Sequence, residues 1–355
     1  LAGGNVVVGG NAASGLIPFV SPAVPPAPQP TYHLRRLASG LGFKAVMFGG
    51  NIWTIGRNEQ GELGRGGDAS LNQAVAFGDN LVAVAAGEGH VLALQGDGQV
   101  WSWGMDSYGQ SNGSPVLESG LSFPVVQIAA GGYTSYALDD QGQLWSKGRN
   151  HHGQAGVGHT SDVFSWTQIT VPGNVTDFAA GLEHLLVVVD GDIYGAGSDG
   201  FGQLGQASTS LVLIDDSRIY EKVAAGSFHS VALSDIGEVA VWGRNVDAQL
   251  GLGGTSLKEN LQLIPGLSAV EDIAAGRSHT LILDSMGDVL GSGKGREDQL
   301  PAGLHLTPTV VPGWSNVLEI GAGPYSSMVE KDDGSVEIRG LNGATSSAPW
   351  VLSLP

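Results

Sequence analysis

Along the chain, short apolar runs alternate with glycine-rich polar stretches, and no run has the three-to-four-residue spacing of an amphipathic helix. Runs such as His90-Val91-Leu92-Ala93-Leu94 and His229-Ser230-Val231-Ala232-Leu233 are apolar at successive positions, which predicts strands buried on both faces. An Asp/Gly turn and a further run ending in glycine follow, as in Asp97-Gly98-Gln99-Val100-Trp101-Ser102-Trp103-Gly104 and Ile236-Gly237-Glu238-Val239-Ala240-Val241-Trp242-Gly243, and this predicts a hairpin. Glycine-rich loops such as Gly56 to Gly64 and Gly197 to Gly205 close the units.

The pattern repeats. An apolar-Ala-Ala-Gly phrase, sometimes altered by one residue, ends at Gly40, Gly87, Gly131, Gly181, Gly226, Gly276 and Gly323, at spacings of 47, 44, 50, 45, 50 and 47 residues. This period belongs to solenoids and propellers. Seven units, each with two hairpins of short strands, predict an all-β, seven-bladed β-propeller, in which radial repetition protects the sheet edges. The 57 glycines fit this architecture, because tight turns need positive φ and the inner strands crowd near the axis.

Three features are specific: the Ala-Ala-Gly-x-x-His phrase, the Trp-Gly strand end, and the Asn-x-x-Gly-Gln-Leu-Gly loop. With them the chain resembles the repeats of the regulator of chromosome condensation family, whose members fold as seven-bladed propellers, over about residues 36 to 343. It departs from that pattern at Phe43, Thr134 and Ser326, which fill the histidine slot in units one, three and seven. The last unit also lacks the tryptophan, ending in Arg339-Gly340-Leu341-Asn342.

Gly4 to Asn11 looks like the second half of a unit. Residues 1–16 are therefore expected to supply a strand that closes the ring, residues 17–34 a Pro-rich connector, and residues 35–355 the seven-repeat propeller.

Composition narrows the function. With 34 acidic and 16 basic side chains the net charge is −18, so nucleic acid is not expected as a partner. The absence of cysteine removes disulfide scaffolds, thiolate metal sites and cysteine nucleophiles. No apolar run approaches the roughly 20 residues of a membrane span, so membrane insertion is not expected. Few lysines, no cysteine and a Pro-rich arm suit an extracellular, surface or virion-associated protein.

Candidate chemistry reduces to structure at most positions. His90, His184, His229 and His279 share one repeat slot in different units, and the same slot accepts Phe, Thr and Ser, so they are expected to be structural histidines bonded to neighbouring strands. His151, His152 and His159 lie in a polar loop and read as solvated, with no metal expected. Gly195-Ala196-Gly197-Ser198-Asp199-Gly200 matches a dinucleotide fingerprint as a string, but no helix follows it, so no cofactor is expected. Asp190-Gly191-Asp192 opens like a calcium loop, yet Phe201 stands where the bidentate glutamate is needed. His229-Ser230 and His279-Thr280 are consecutive strand residues that point to opposite faces, so neither pair forms a base and a nucleophile, and the chain is not expected to be an enzyme.

The variable tips remain. After each Ala-Ala-Gly the next two positions include Glu88, Tyr133, Glu183, Phe228, Arg277 and Tyr325, and the glycine-rich loops add Tyr108, His152 and Phe201, on the same or the opposite face. Aromatic anchors at such tips predict a noncatalytic propeller that binds a protein partner. This resembles in kind the bacterial β-lactamase-inhibitor propellers of the repeat family, which use inter-strand tips for contact. The family's founding activity, guanine-nucleotide exchange on a Ran-like small GTPase, is one alternative, although no long wedge insertion interrupts the spacings. A structural or receptor-binding module of a larger extracellular or viral assembly is another. Ultraviolet sensing, as in the plant photoreceptor branch, fits poorly. Its Gly-Trp-Arg-His-Thr repeats have no counterpart here beyond Gly276-Arg277-Ser278-His279-Thr280.

Overall fold

Each Ala-Ala-Gly phrase ends the innermost strand of a blade. The computed structural model describes residues 34–66, 73–75, 80–295 and 297–341, together with the backbone of 350–352. The described residues fall in the compact unit Tyr32–Pro355, and no helix occurs among them. The inner strands are Leu37–Ser39, Leu81–Ala86, Val125–Ala130, Val175–Ala180, Tyr220–Ala225, Val270–Ala275 and Val317–Gly323. Each begins a four-stranded sheet, giving the seven blades of a β-propeller. Pairing within a blade is antiparallel throughout, as in His229↔Gly243 and Val231↔Val241 between the second and third strands of blade five.

The second strands are buried along nearly their whole length, because each is covered by a neighbouring sheet on both sides. Outer strands vary widely in length. They run from Gln73–Ala74 in blade one to the eight-residue Ser208–Asp215 and Ser256–Leu263. The core lies between blades. Leu186, Val188 and Ile193 of blade four pack with Val223, Ala232 and Trp242 of blade five. Fully burying a side chain of this size contributes about 1.5–3 kcal/mol.

Polar links accompany this packing. His90 Nε2 lies 3.0 Å from Ser135 Oγ in the next blade, His184 Nε2 3.2 Å from Ser230 Oγ, His229 Nε2 3.0 Å from Thr280 Oγ1, and His279 Nε2 2.9 Å from Ser327 Oγ. The hydroxyls of Ser135, Ser230 and Thr280 donate to the main-chain oxygens of Gln110, Gln203 and Gln249, so their oxygens accept from the imidazole N–H. Burial pushes His90, His184 and His229 down to about 3 and His279 to about 4, so all four are neutral links. His229 and Ser230 do face opposite neighbours, the first bonding blade six and the second blade four.

Blade seven takes its outer strand, Trp350–Leu352, from its own repeat. The seam to blade one is polar. Glu319 Oε1 accepts from the main-chain N–H of Arg36 at 2.7 Å and of Leu37 at 3.2 Å, the Arg36 guanidinium reaches Glu330 at 2.7 Å, and Ser39 and Ser326 share a hydrogen bond of 2.7 Å. The expected closing strand, residues 1–16, and nearly all of the connector 17–34 lie outside the described residues.

Candidate functional site

In a four-stranded antiparallel blade the first and third connections leave at the same end. The Ala-Ala-Gly tips and the glycine-rich loops therefore share one face, and both sets of sequence-predicted residues come together there. The loops are held from beneath. Buried Gln110, Gln154 and Gln203 accept, through Oε1, the main-chain N–H of Tyr108, His152 and Phe201 at 2.9, 3.0 and 2.9 Å. Asn150 and Asp199 accept from the N–H of Ala155 and Leu204, both at 2.9 Å. Each clamp fixes a tip whose side chain remains partly exposed.

The tips meet across blade boundaries. Tyr108 of blade two lies 5.7 Å from Tyr133 of blade three, centroid to centroid, and Arg149 sits 5.9 Å from each ring. Blades four and five repeat the arrangement. Phe201 and Phe228 are 4.9 Å apart, with Arg244 at 5.7 and 6.0 Å. Cation–π contacts of this kind contribute about 0.5–1 kcal/mol at exposed sites and about 2 when desolvated.

Glu183 accepts from Arg149 at 3.3 Å and lies 3.3 Å from His152 Nε2. Burial and a hydrogen bond with Glu88 push the Tyr133 hydroxyl up to about 12, so it stays protonated. Arg277 lies 5.3 Å from the Tyr325 ring. The predicted residues thus form three groups. Tyr108, Tyr133 and Glu183 are joined through Arg149, with Glu88 attached through Tyr133 and His152 through Glu183; Phe201 and Phe228 are joined through Arg244, and Arg277 pairs with Tyr325.

The linking arginines were missed from sequence, although a signal existed. Arg57, Arg149, Arg244 and Lys294 each directly follow the glycine at or near the end of a third strand, Gly56, Gly148, Gly243 and Gly293.

At the centre of this face six of the phrase glycines, Gly87 to Gly323, with Ser39 of blade one, ring a cavity of about 120 Å³. The inner strands approach so closely that a Cβ on Gly87 would sit 2.2 Å from the oxygen of Gly131, so only glycine fits. Deeper along the axis, Arg35 crosses from blade one to Asp272 of blade six, with Nη2 3.0 Å from Oδ1. Burial alone would lower the Arg35 pKa, but the carboxylates of Asp272, Glu319 and Asp177 more than offset it and hold it above the ordinary value.

Among the described residues no three His, Asp or Glu side chains are placed to hold a metal ion. His151, His152 and His159 are separately engaged. His151 lies 3.2 Å from Asp162, His152 faces Glu183, and the main-chain oxygen of His159 accepts from Asn150 at 2.8 Å. Gly195 to Gly197 end the third strand of blade four, and Asp190-Gly191 form the turn that joins its second and third strands.

A family model for the RCC1-like domain matches residues 51–346. The chain belongs to this family. Among relatives of the RCC1-like chain, the ultraviolet-B receptor UVR8 of Arabidopsis thaliana is 30% identical over 245 residues, covering 63% of this chain and 56% of the receptor, so the match spans about half of the relative's length. Solved structures of the same fold include human WBSCR16 (TM-score 0.75, 24% identity, 82% of this chain and 85% of that one). They also include Prp20p of Saccharomyces cerevisiae (TM-score 0.77, 20% identity, 92% and 88%).

Proposed function

We propose that this RCC1-like propeller is a noncatalytic module that docks a protein partner through the face carrying its two sets of loop tips. The observation that carries the reading is the recurring arginine–aromatic cluster, Tyr108–Arg149–Tyr133 and Phe201–Arg244–Phe228, partly exposed, with the main chain of Tyr108 and Phe201 held by buried glutamines. Aromatic and arginine side chains dominate interface energetics. Rings already held in place lose little conformational freedom on binding. Prp20p, a neighbour in fold, was studied for its binding to Gsp1p and histones, and a protein is likewise the class of partner proposed here.

The test is affinity capture from the source material with the intact propeller and with a Tyr133→Ala, Phe228→Ala, Tyr325→Ala triple variant. Capture should be lost in the variant while its melting temperature falls by about 5 °C or less. Unchanged capture, or unfolding of the variant, would sink the reading. Release of a captured small GTPase by added nucleotide would favour exchange activity instead. Copurification with an assembly scaffold would favour the structural module.

A further inference from the structure

The turns joining second to third strands leave at the end opposite the loop tips. In blades two, three, four and seven the residue before the turn glycine is Asp97, Gln141, Asp190 or Asp333, the polar type that turns favour. Blades five and six place Ile236 and Met286 there, 70% and 80% exposed. Two further exposed side chains flank them. Ile219, 62% exposed, precedes the inner strand of blade five, and its main-chain oxygen accepts from Asp235 N at 3.0 Å. Leu318, 61% exposed, adjoins Val317, whose N–H donates to Gly287 O at 3.0 Å. Between them Ser285 N donates to Ala269 O at 2.9 Å. The turn of blade five lies directly against the start of blade six, where a Cβ on Gly237 would sit 3.0 Å from Ala269 N, so the four side chains lie along adjacent blades five, six and seven.

The surroundings of this arc are acidic. The turns of blades four to seven bring Asp190, Asp235, Asp284 and Asp332 to this end; their basic residue, Lys331, is bonded to Glu337, and Arg36 at the seam beside Leu318 is paired with Glu330 at 2.7 Å. Arg218 and Lys222 nearby are already paired, with Glu238 at 3.0 Å and Asp272 at 3.4 Å. An anionic lipid surface, a nucleic acid or a second copy of this acidic face would be repelled, whereas a segment carrying positive charge beside apolar side chains would satisfy both features.

We propose that the arc Ile219–Ile236–Met286–Leu318 is a second docking surface, separate from the tip face, that takes a cationic amphipathic segment of a partner protein. The test selects a random twelve-residue peptide library on the full chain, with counter-selection on an Ile236→Asn, Met286→Gln variant that keeps every charge. Enriched peptides should combine Lys or Arg with Leu, Ile or Phe, and should bind the wild type about tenfold or more tighter than the variant by fluorescence anisotropy. Their affinity should fall with added salt and stay unchanged in the tip-face triple variant. Equal binding to both proteins, enrichment of acidic peptides or no enrichment would overturn the proposal. A benzophenone side chain placed at position 286 supplies a second arm. It should crosslink to the selected peptide, and crosslinking instead to residues 1–31 of the same chain or to a second copy would also overturn the proposal.

Discussion

Lys44 shows how one residue departs from its repeat slot. In blades three, five, six and seven that slot holds Ser135, Ser230, Thr280 and Ser327, hydroxyls bonded to the histidine of the preceding blade. Blade one places a fully buried lysine there, and its Nζ donates to the main-chain oxygens of Leu341 at 2.9 Å and Phe43 at 3.3 Å. Burial pushes its pKa down to about 7 from 10.5. Between those values the unfolded chain holds a proton that the folded chain does not, so stability should rise with pH across that window. Lys44→Met should flatten the rise and increase stability at pH 7 and below, read by denaturant unfolding at several pH values. An unchanged pH profile would show that the ammonium is not desolvated.

The glycine-rich loops are built at the scale of the element. Gln203 binds its own loop through Oε1, while its main-chain oxygen accepts from Ser230 at 2.8 Å and Trp242 at 2.7 Å in the next blade. The loop is therefore both a tip and an inter-blade tie. Blade one substitutes Glu62, whose buried carboxylate is matched by Arg57 at 2.8 Å. Gln203→Ala should cost about 1–3 kcal/mol by leaving the Phe201 N–H without its acceptor. Hydrogen exchange should accelerate at Phe201 and its neighbours, whereas Phe201→Ala should leave that protection in place. Equal exchange in Gln203→Ala and wild type would mean that the glycine turns alone set the loop.

The whole molecule couples its ring to pH through the neutral histidines. Their folded pKa values lie near 3 to 4 against an ordinary 6.5. As pH falls below 6.5 the unfolded chain takes up protons that the folded ring refuses, so stability is lost progressively toward pH 4. His229→Gln should make that slope shallower by up to about 1.4 kcal/mol per pH unit. An unaltered slope from pH 6 to 4 would show that His229 is protonated in the folded state.

Sequence by itself determined the blade count, the all-β class and the interior placement of the histidine slot, because each depends on local periodicity that recurs every 44 to 50 residues. Seven Ala-Ala-Gly phrases demand seven close approaches to one axis, and only glycine tolerates them. Tertiary structure alone decided which tips touch. Tyr108 and Tyr133 belong to different repeats, and so do Phe201 and Phe228, so their contact depends on how one blade leans on the next. The same holds for Arg149 and Arg244, whose repeat slot was visible but whose position beside the rings was not. At the seam, the single Glu319 carboxylate receives two main-chain N–H groups from the far end of the propeller unit. No local pattern encodes such a pairing, because contacts between residues nearly 300 positions apart arise only when the ring has closed.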